Sequence, residues 1–470
     1  MEIPWDFIWD IVKKVSKKYY PWKWKRLRNK QATSRGNKLL YQFLDYLYGG
    51  YPILKDEENR IWPLVVFPAD KSQRDDLEST LIELDPILEE EQLEPFIAKE
   101  GEKYLNLRKK TGAKLYNLST YCMVNLHRDS TGPKLSCKMG EYFNAVKTCD
   151  ILEIELLRKF NKIGSNLAKR KYTNEEIEDI FNNFFFKELN LRRILHNKVK
   201  DPICNGSFRS TAVAISTLIV AFDKNKGCYR TLIDVRSQKV AVHSDLLHVI
   251  PSFMFQPLTS YYKKEFSIQH NIFREYLEEI FDYKELERPS KRYPESFYNF
   301  PELKYLVSFL ATGEAKILTT GVSVNLLNLR PEICTLLLVE SPEYYETLKK
   351  GGKRKIPKIE LFLKEGSKTN GKVKPSKVGW EISRTEEEVE LKSVRINEEY
   401  LAPGVITAEE LIDFNFETFV SRLQKNLTEK RRELEKKLQD KMPIEVPQAL
   451  FVPPGAAALY LGLKVLRDLQ

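Results

Sequence analysis

Phe273-Arg274-Glu275-Tyr276-Leu277-Glu278-Glu279-Ile280-Phe281 decides how this 470-residue chain is read. On an α-helix, positions 275, 278 and 279 fall at i, i+3 and i+4, so three carboxylates share one face. Neighbouring like charges repel, at a cost of roughly a few tenths of a kcal/mol per pair on an exposed helix. Water can screen that cost, which is the reading of a solvated acidic face. A hard divalent cation such as Mg²⁺ or Mn²⁺, which takes oxygen ligands, turns the same repulsion into a binding site. Arg274 stands four residues before Glu278, close enough to hold one carboxylate in place.

The surroundings bear on the choice. Upstream, the apolar and β-branched run from Thr211 to Asp223 predicts a buried strand. Lys224-Asn225-Lys226-Gly227 predicts a turn, and Cys228–Ser237 alternates like a second strand. A third short strand, Leu246–Ile250, stops at Pro251, and a loop leads into the carboxylate helix. Downstream, Pro301–Thr312 reads as helix, and Ala315–Val324 and Ile333–Glu340 read as strands that complete a mixed sheet.

This order of elements resembles a Nudix domain, whose signature ends in Arg-Glu-apolar-any-Glu-Glu-any-Gly-apolar. Arg274 to Glu279 match it in sequence. Arg236-Ser237 resembles the Arg-Ser that often closes the second strand, and His248-Val249-Ile250-Pro251 resembles the Trp/His-any-Leu-Pro that precedes the signature. The chain departs from the pattern in four places. Ser252-Phe253 stand where the family has Gly-Gly, and 21 residues rather than 14 separate them from Arg274. Glu265 is one residue off the register of the outer Glu, and Phe281 replaces the final Gly. Further stretches are similar to bacterial, often actinobacterial, Nudix-like proteins described as transcriptional regulators: His248–Pro257, Gly321–Leu338 and Pro453–Leu463.

The resemblance implies an α+β fold, a Nudix-like mixed sheet sandwiched by helices. It implies Glu275, Glu278 and Glu279 as ligands of Mg²⁺ or Mn²⁺, with Glu278 and Glu279 catalytic and Arg274 orienting a carboxylate. Arg236 and Phe253 become the expected contacts to a nucleotide-like ligand. Two functions follow. One is metal-assisted hydrolysis of a phosphoanhydride in a nucleoside diphosphate-linked substrate, the metal polarising phosphoryl oxygens and activating water. The other is a degenerate sensor or regulator that binds such a ligand and acts on nucleic acid or a protein partner. Loss of Gly-Gly favours the second, because Phe253 crowds a close backbone approach.

Composition sets the remaining bounds. Six scattered cysteines without a CxxC pair, and five dispersed histidines, argue against zinc and for reduced thiols in a cytoplasmic protein. No apolar run is long enough to span a bilayer, and no signal-peptide pattern opens the chain. There is no GxxxxGK[ST] or G-x-S-x-G, so P-loop and nucleophile-elbow chemistries are unsupported. His243 and His248, lacking a partner cluster, read as structural.

Net charge is +10 but locally polarised. Residues 1–30 hold nine Lys/Arg against three acids, residues 75–102 one Lys against eleven acids, and residues 349–377 eleven Lys/Arg against two acids. In the first of these, Lys23, Lys25, Arg26 and Arg28 alternate with Trp22, Trp24 and Leu27. Such a segment can grip phosphates and stack on bases, lie on an anionic membrane surface, or dock on the protein itself. The 349–377 stretch reads as a solvated loop or as a phosphate-collecting flap, and either Glu386–Glu388 or Asn397–Glu399 as a source of one further carboxylate. Three regions are expected: a mainly helical 1–110, a Nudix-like 111–405 with its core at 206–345, and a helical extension, 406–470.

Overall fold

The computed structural model describes residues 35–55, 61–75, 81–85, 92–110, 115–129, 132–167, 172–225, 227–235, 247–283, 286, 293–394, 404–406 and 452–469. The basic segment bearing Lys23, Lys25, Arg26 and Arg28, together with Arg236 and the 407–441 stretch, lies outside the described residues.

The architecture is α+β. Eight strands form the main sheet in the order β1 (Ile53–Lys55), β2 (Ile61–Pro68), β11 (Ala315–Asn325), β12 (Arg330–Val339), β6 (Ala214–Asp223), β7 (Cys228–Thr231) and β17 (Gly404–Ile406), with β10 (Ser252–Met254) also on β6. Only β12 and β6 run parallel, Ile333 opposite Ile215 through Val339 opposite Ala221. The other pairs are antiparallel, which makes the sheet mixed.

Alternation along the central strands produces two apolar faces. Ile215, Ile219, Ile333, Leu337, Val65 and Phe67 belong to one core, with the helices Ile268–Glu275, Pro301–Thr312 and Tyr344–Lys350. Leu218, Val220, Leu336, Leu338, Leu64 and Val66 belong to the other, with the C-terminal helix Pro453–Leu469 and the small pair β8 (Ile233–Val235) and β9 (Leu247–Val249). Each fully buried Leu, Ile or Val contributes roughly 1.5–3 kcal/mol. The C-terminal helix lies close because it presents Ala456, Ala457, Ala458 and Gly462; a Cβ on Gly462 would stand 2.7 Å from Leu218 Cδ2. No described helix is long and apolar enough to cross a membrane.

Three local expectations change. The first 110 residues, expected to be mainly helical, supply β1 and β2 to the main sheet and β3 (Ile82–Leu84) to a second. Pro63, of a residue type mostly confined to edge strands, lies in β2 between β1 and β11; the ladder to β1 is irregular between Ile53 and Lys55, and the Pro63 carbonyl accepts from Leu326 N at 2.9 Å. Among the described residues of the acidic block, Lys71–Arg74 and the stretch from Pro95 are helix, whereas Ile82–Leu84 is strand because β3 pairs in parallel with β5 (Gly132–Glu141). That second sheet is completed by β4 (Ser119–Asp129), β14 (Lys368–Thr369) and β15 (Lys372–Val373).

Residues 352–391 include most of the 349–377 stretch read as a loop or flap, and are largely strand. They form a long hairpin of β13 (Gly352–Lys364) and β16 (Lys377–Leu391), in which Ile356, Ile359 and Leu363 are buried. Its charges pair locally: Lys353 Nζ meets Glu388 at 2.8 Å, and Lys304 Nζ meets Glu387 at 3.0 Å.

One junction fixes the β11–β12 turn. Arg192, on the helix Asn190–Lys198, donates to Leu326 O at 3.1 Å, to Leu327 O at 2.5 Å and to the Tyr48 hydroxyl at 2.8 Å. Tyr48 then donates to His196 Nε2 at 2.9 Å. Burial, followed by Arg192 and Arg209, pushes the His196 imidazole down to about 4. A folded pKa below the usual 6.5 stabilises the fold fully above pH 6.5 and is lost as pH falls through about 4. Stability should therefore decline by about 3 kcal/mol from this group over that window. Urea denaturation at stepped pH checks this, with His196→Gln expected to flatten the profile.

Candidate functional site

The helix Ile268–Glu275 starts at Ser267, whose hydroxyl accepts from His270 N at 3.2 Å. It does not continue as α-helix through the acidic stretch. Tyr276–Ile280 forms a π turn, with i→i+5 bonding that rotates Glu278 and Glu279 relative to Glu275. The three carboxylates therefore do not share one regular face. Glu275 is buried, Glu278 half-buried and Glu279 exposed.

Arg274 is 2% exposed and sits among acids. Its Nη2 donates to Glu275 Oε1 at 3.0 Å; Nε lies 3.4 Å from Glu278 Oε1, and Nη1 lies 4.0 Å from Glu265 Oε2. Burial works against the guanidinium charge, but Glu275 and Glu278 outweigh it and raise its pKa above the usual arginine value. His270, buried beside it, is pushed well below the usual imidazole value by burial and then by Arg274.

The 255–267 insertion is held by the same group of residues. Arg274 Nη1 donates to Gln256 O at 3.3 Å. Glu265 accepts from Leu258 N at 2.9 Å, from Thr259 N at 2.8 Å and from the Thr259 hydroxyl. Asn271 Nδ2 donates back to Glu265 O at 2.9 Å and Ser267 O at 2.8 Å.

Glu279 reaches the sheet. Its Oε2 accepts from Ser252 N at 2.9 Å, at the start of β10. Ser252 lines a cavity of about 170 Å³ at the N-terminal end of β6, with His248, Asn325, Arg330 and Glu332. His248 Nδ1 is 2.9 Å from Val249 O, so it carries the proton, and Nε2 is left to accept from the Ser252 hydroxyl at 3.1 Å. Ser252 Oγ is also 3.0 Å from Ser216 Oγ, which donates to Glu332. On the opposite wall Arg330 Nη1 meets Asp150 at 3.4 Å, and Arg330 Nε donates to Ala212 O at 3.3 Å. Burial disfavours the Arg330 charge, but Asp150 and its other neighbours raise its pKa. Asp150 closes a second π turn, Val146–Asp150, and lines this cavity; the first π turn reaches the lining through the Glu279–Ser252 bond.

The residues singled out by sequence are thus distributed as follows. Glu275 and Glu278 surround Arg274, Glu279 holds the β10 backbone, and Phe253 is 9% exposed and packed in the core while also lining the cavity. Among the described residues, no group of three or more His, Cys, Asp or Glu side chains is disposed to hold a metal ion. Sequence reading missed Ser216, Asp150, Arg330 and Glu332, which come from three separate stretches. The apolar runs around them gave no sign that their polar members converge. No family model matches the chain, and a search of curated proteins finds no match.

Replacing Arg274 with Met should destabilise the protein by about 3–5 kcal/mol, because it strands buried carboxylates without their cation. Glu279→Gln, at an exposed position, should cost about 1 kcal/mol or less. Urea denaturation of the two variants side by side measures the contrast.

Proposed function

We propose that this chain is a Nudix-like protein that binds a nucleoside diphosphate-linked ligand as a sensor or regulator. The observation that carries the reading is the engagement of all three signature carboxylates by protein donors. Glu275 and Glu278 serve the buried Arg274, and Glu279 serves the Ser252 backbone. The mixed sheet with a carboxylate helix over one face supports the family resemblance, and a cavity lined by Asp150 of one π turn and by Ser252, held by Glu279 of the other, supports a ligand site there.

In this reading the carboxylate helix positions β10 and thereby one wall of the cavity. Arg330 offers a fixed positive charge, and Asn325 and Asn328 offer polar edges. At about 170 Å³ the cavity admits a phosphoryl group or a sugar ring rather than a whole nucleotide, since drug-sized ligands fill roughly 300–1,000 Å³. The rest of the ligand would lie outside it. The 1–30 segment, where Lys23, Lys25, Arg26 and Arg28 alternate with tryptophans, is the proposed contact to nucleic acid or a protein partner.

Metal-assisted hydrolysis is the second reading, favoured by the intact Arg274-Glu275…Glu278-Glu279 spacing. It requires Mg²⁺ or Mn²⁺ to compete with Arg274 and with the Ser252 N–H for these oxygens. A thermal-shift and phosphate-release screen of nucleotide sugars, dinucleoside polyphosphates, NAD and ADP-ribose, with and without Mg²⁺, separates the two. The expected result is stabilisation by a nucleoside diphosphate-linked compound with no phosphate release. At a ligand concentration of 100 Kd that stabilisation is about 2.7 kcal/mol. Metal-dependent turnover abolished by Glu278→Gln would establish the hydrolase instead. Absence of any response would remove both.

A further inference from the structure

A larger cavity, about 370 Å³, opens on the opposite face of the sheet from the carboxylate helix. It lies where the end of β2, the bulge of β11, the β4–β5 hairpin and the C-terminal helix meet. The bulge places Thr320 there: pairing to β12 shifts between Thr319 and Gly321, and Thr320 O accepts from Ala69 N at 3.0 Å. Gly321 permits this at φ +149°, with Phe67 O only 2.4 Å from where a Cβ would sit.

Three cations converge on this cavity: Arg74, Arg128 and Lys464. Its two acids already have donors. Asp70 accepts from Ser72 N at 3.0 Å and Ser72 Oγ at 3.1 Å, and Asp468 accepts from Arg74 Nη2 at 2.8 Å. Arg128 and Lys464 make no ion pair with a described residue. Two buried polar atoms of the lining also lack a hydrogen-bond partner: Arg74 Nε, and the Oγ1 of Thr320, a residue only 1% exposed. Leaving such groups unmade is costly, and a bound acceptor relieves that cost. Beside the cations, Pro68, Leu461 and Val465 form an apolar wall.

Convergent positive charge, unpartnered donors and an apolar wall in a space of small-ligand size define one chemistry. We propose that this cavity binds a small phosphomonoester of about nucleoside-monophosphate size. Its phosphoryl group lies against Arg74, Arg128, Lys464 and the Thr320 hydroxyl, and its sugar or base against Pro68, Leu461 and Val465. The ligand would bridge the β4–β5 hairpin and the C-terminal helix. The inference is independent of the carboxylate helix and of the function proposed for it.

Isothermal titration of the full chain with AMP, ribose 5-phosphate and inorganic phosphate at low salt tests it. AMP should bind, and Arg128→Glu and Lys464→Glu should each weaken it by about tenfold or more. Both positions lack an ion pair in the fold, so these variants are expected to stay folded, as circular dichroism would verify. Thr320→Val should weaken AMP binding as well, whereas Glu278→Gln should leave it unchanged, which separates this site from the other. No binding of any of the three compounds at millimolar concentration would overturn the proposal, as would AMP binding that survives Arg128→Glu/Lys464→Glu. Inorganic phosphate binding as tightly as AMP would assign the cavity to free phosphate and overturn the phosphomonoester.

Discussion

The parallel pairing of β6 with β12 is the constraint from which the other features follow. Both strands carry apolar side chains on both faces, so each face must be covered. Two parallel neighbours also require a crossover, and here the crossover is everything between Asp223 and Arg330. It contains the carboxylate helix and the Pro301–Thr312 helix, which cover one face, and β8–β9, which helps to cover the other. Within it, β7 takes the C-terminal end of β6 and β10 takes the N-terminal end. The two leave the strand at different places, and the smaller cavity lies beside the β10 end.

Charge is then arranged to suit that packing. A guanidinium as buried as Arg274 is tolerated only where anions and carbonyls compensate the lost hydration. Glu265, Glu275, Glu278 and Gln256 O supply the compensation, and three of the four partners anchor the inserted loop or the π turn. One side chain thereby ties the helix to the 255–267 loop. Of the three acids that stand at metal-ligand spacing in the linear sequence, Glu275 and Glu278 are counter-charges of the buried Arg274 in the fold, and Glu279 accepts from Ser252 N. This is why the reading proposed for the site gives them a positioning role.

Much of the sheet was legible because burial writes a simple pattern. The run from Thr211 to Asp223 and the two strands after Pro301 are rich in apolar and β-branched residues, and the structure has β6, β11 and β12 there. Thr173 and Glu176 stand at capping-box spacing in the sequence, and both halves of the box are present at the start of the Asn174–Glu188 helix. The Lys-rich 349–377 stretch was misread because its alternation is sparse: in β13 only Ile356, Ile359 and Leu363 are buried, with a register irregularity after Pro357. The 72–100 block failed differently, since β3 is three residues long and owes its conformation to β5. The angular spread of Glu275, Glu278 and Glu279 was not readable at all. A π turn leaves no mark in residue spacing, and every inference from i, i+3 and i+4 assumes its absence.

The C-terminal helix gives the two cavities a common element. Seventeen residues at about 1.5 Å each make it some 25 Å long. Pro454, in its first turn, lines the smaller cavity, and Lys464 and Asp468, in its last turns, line the larger. Its N-terminal end carries the positive pole of the helix dipole, which suits the Glu332 carboxylate in that cavity. Gly455 lets it approach the His248 ring so closely that a Cβ would stand 3.0 Å from Nδ1, and Gly462 does the same over Leu218. A helix seated through glycines and alanines has little room to tilt without losing contact along its length. A ligand that draws Lys464 toward the β4–β5 hairpin therefore acts on the same helix that packs against His248. The small-residue stretch at 455–458 is best understood as the seat of that helix, and its position bears on both sites at once.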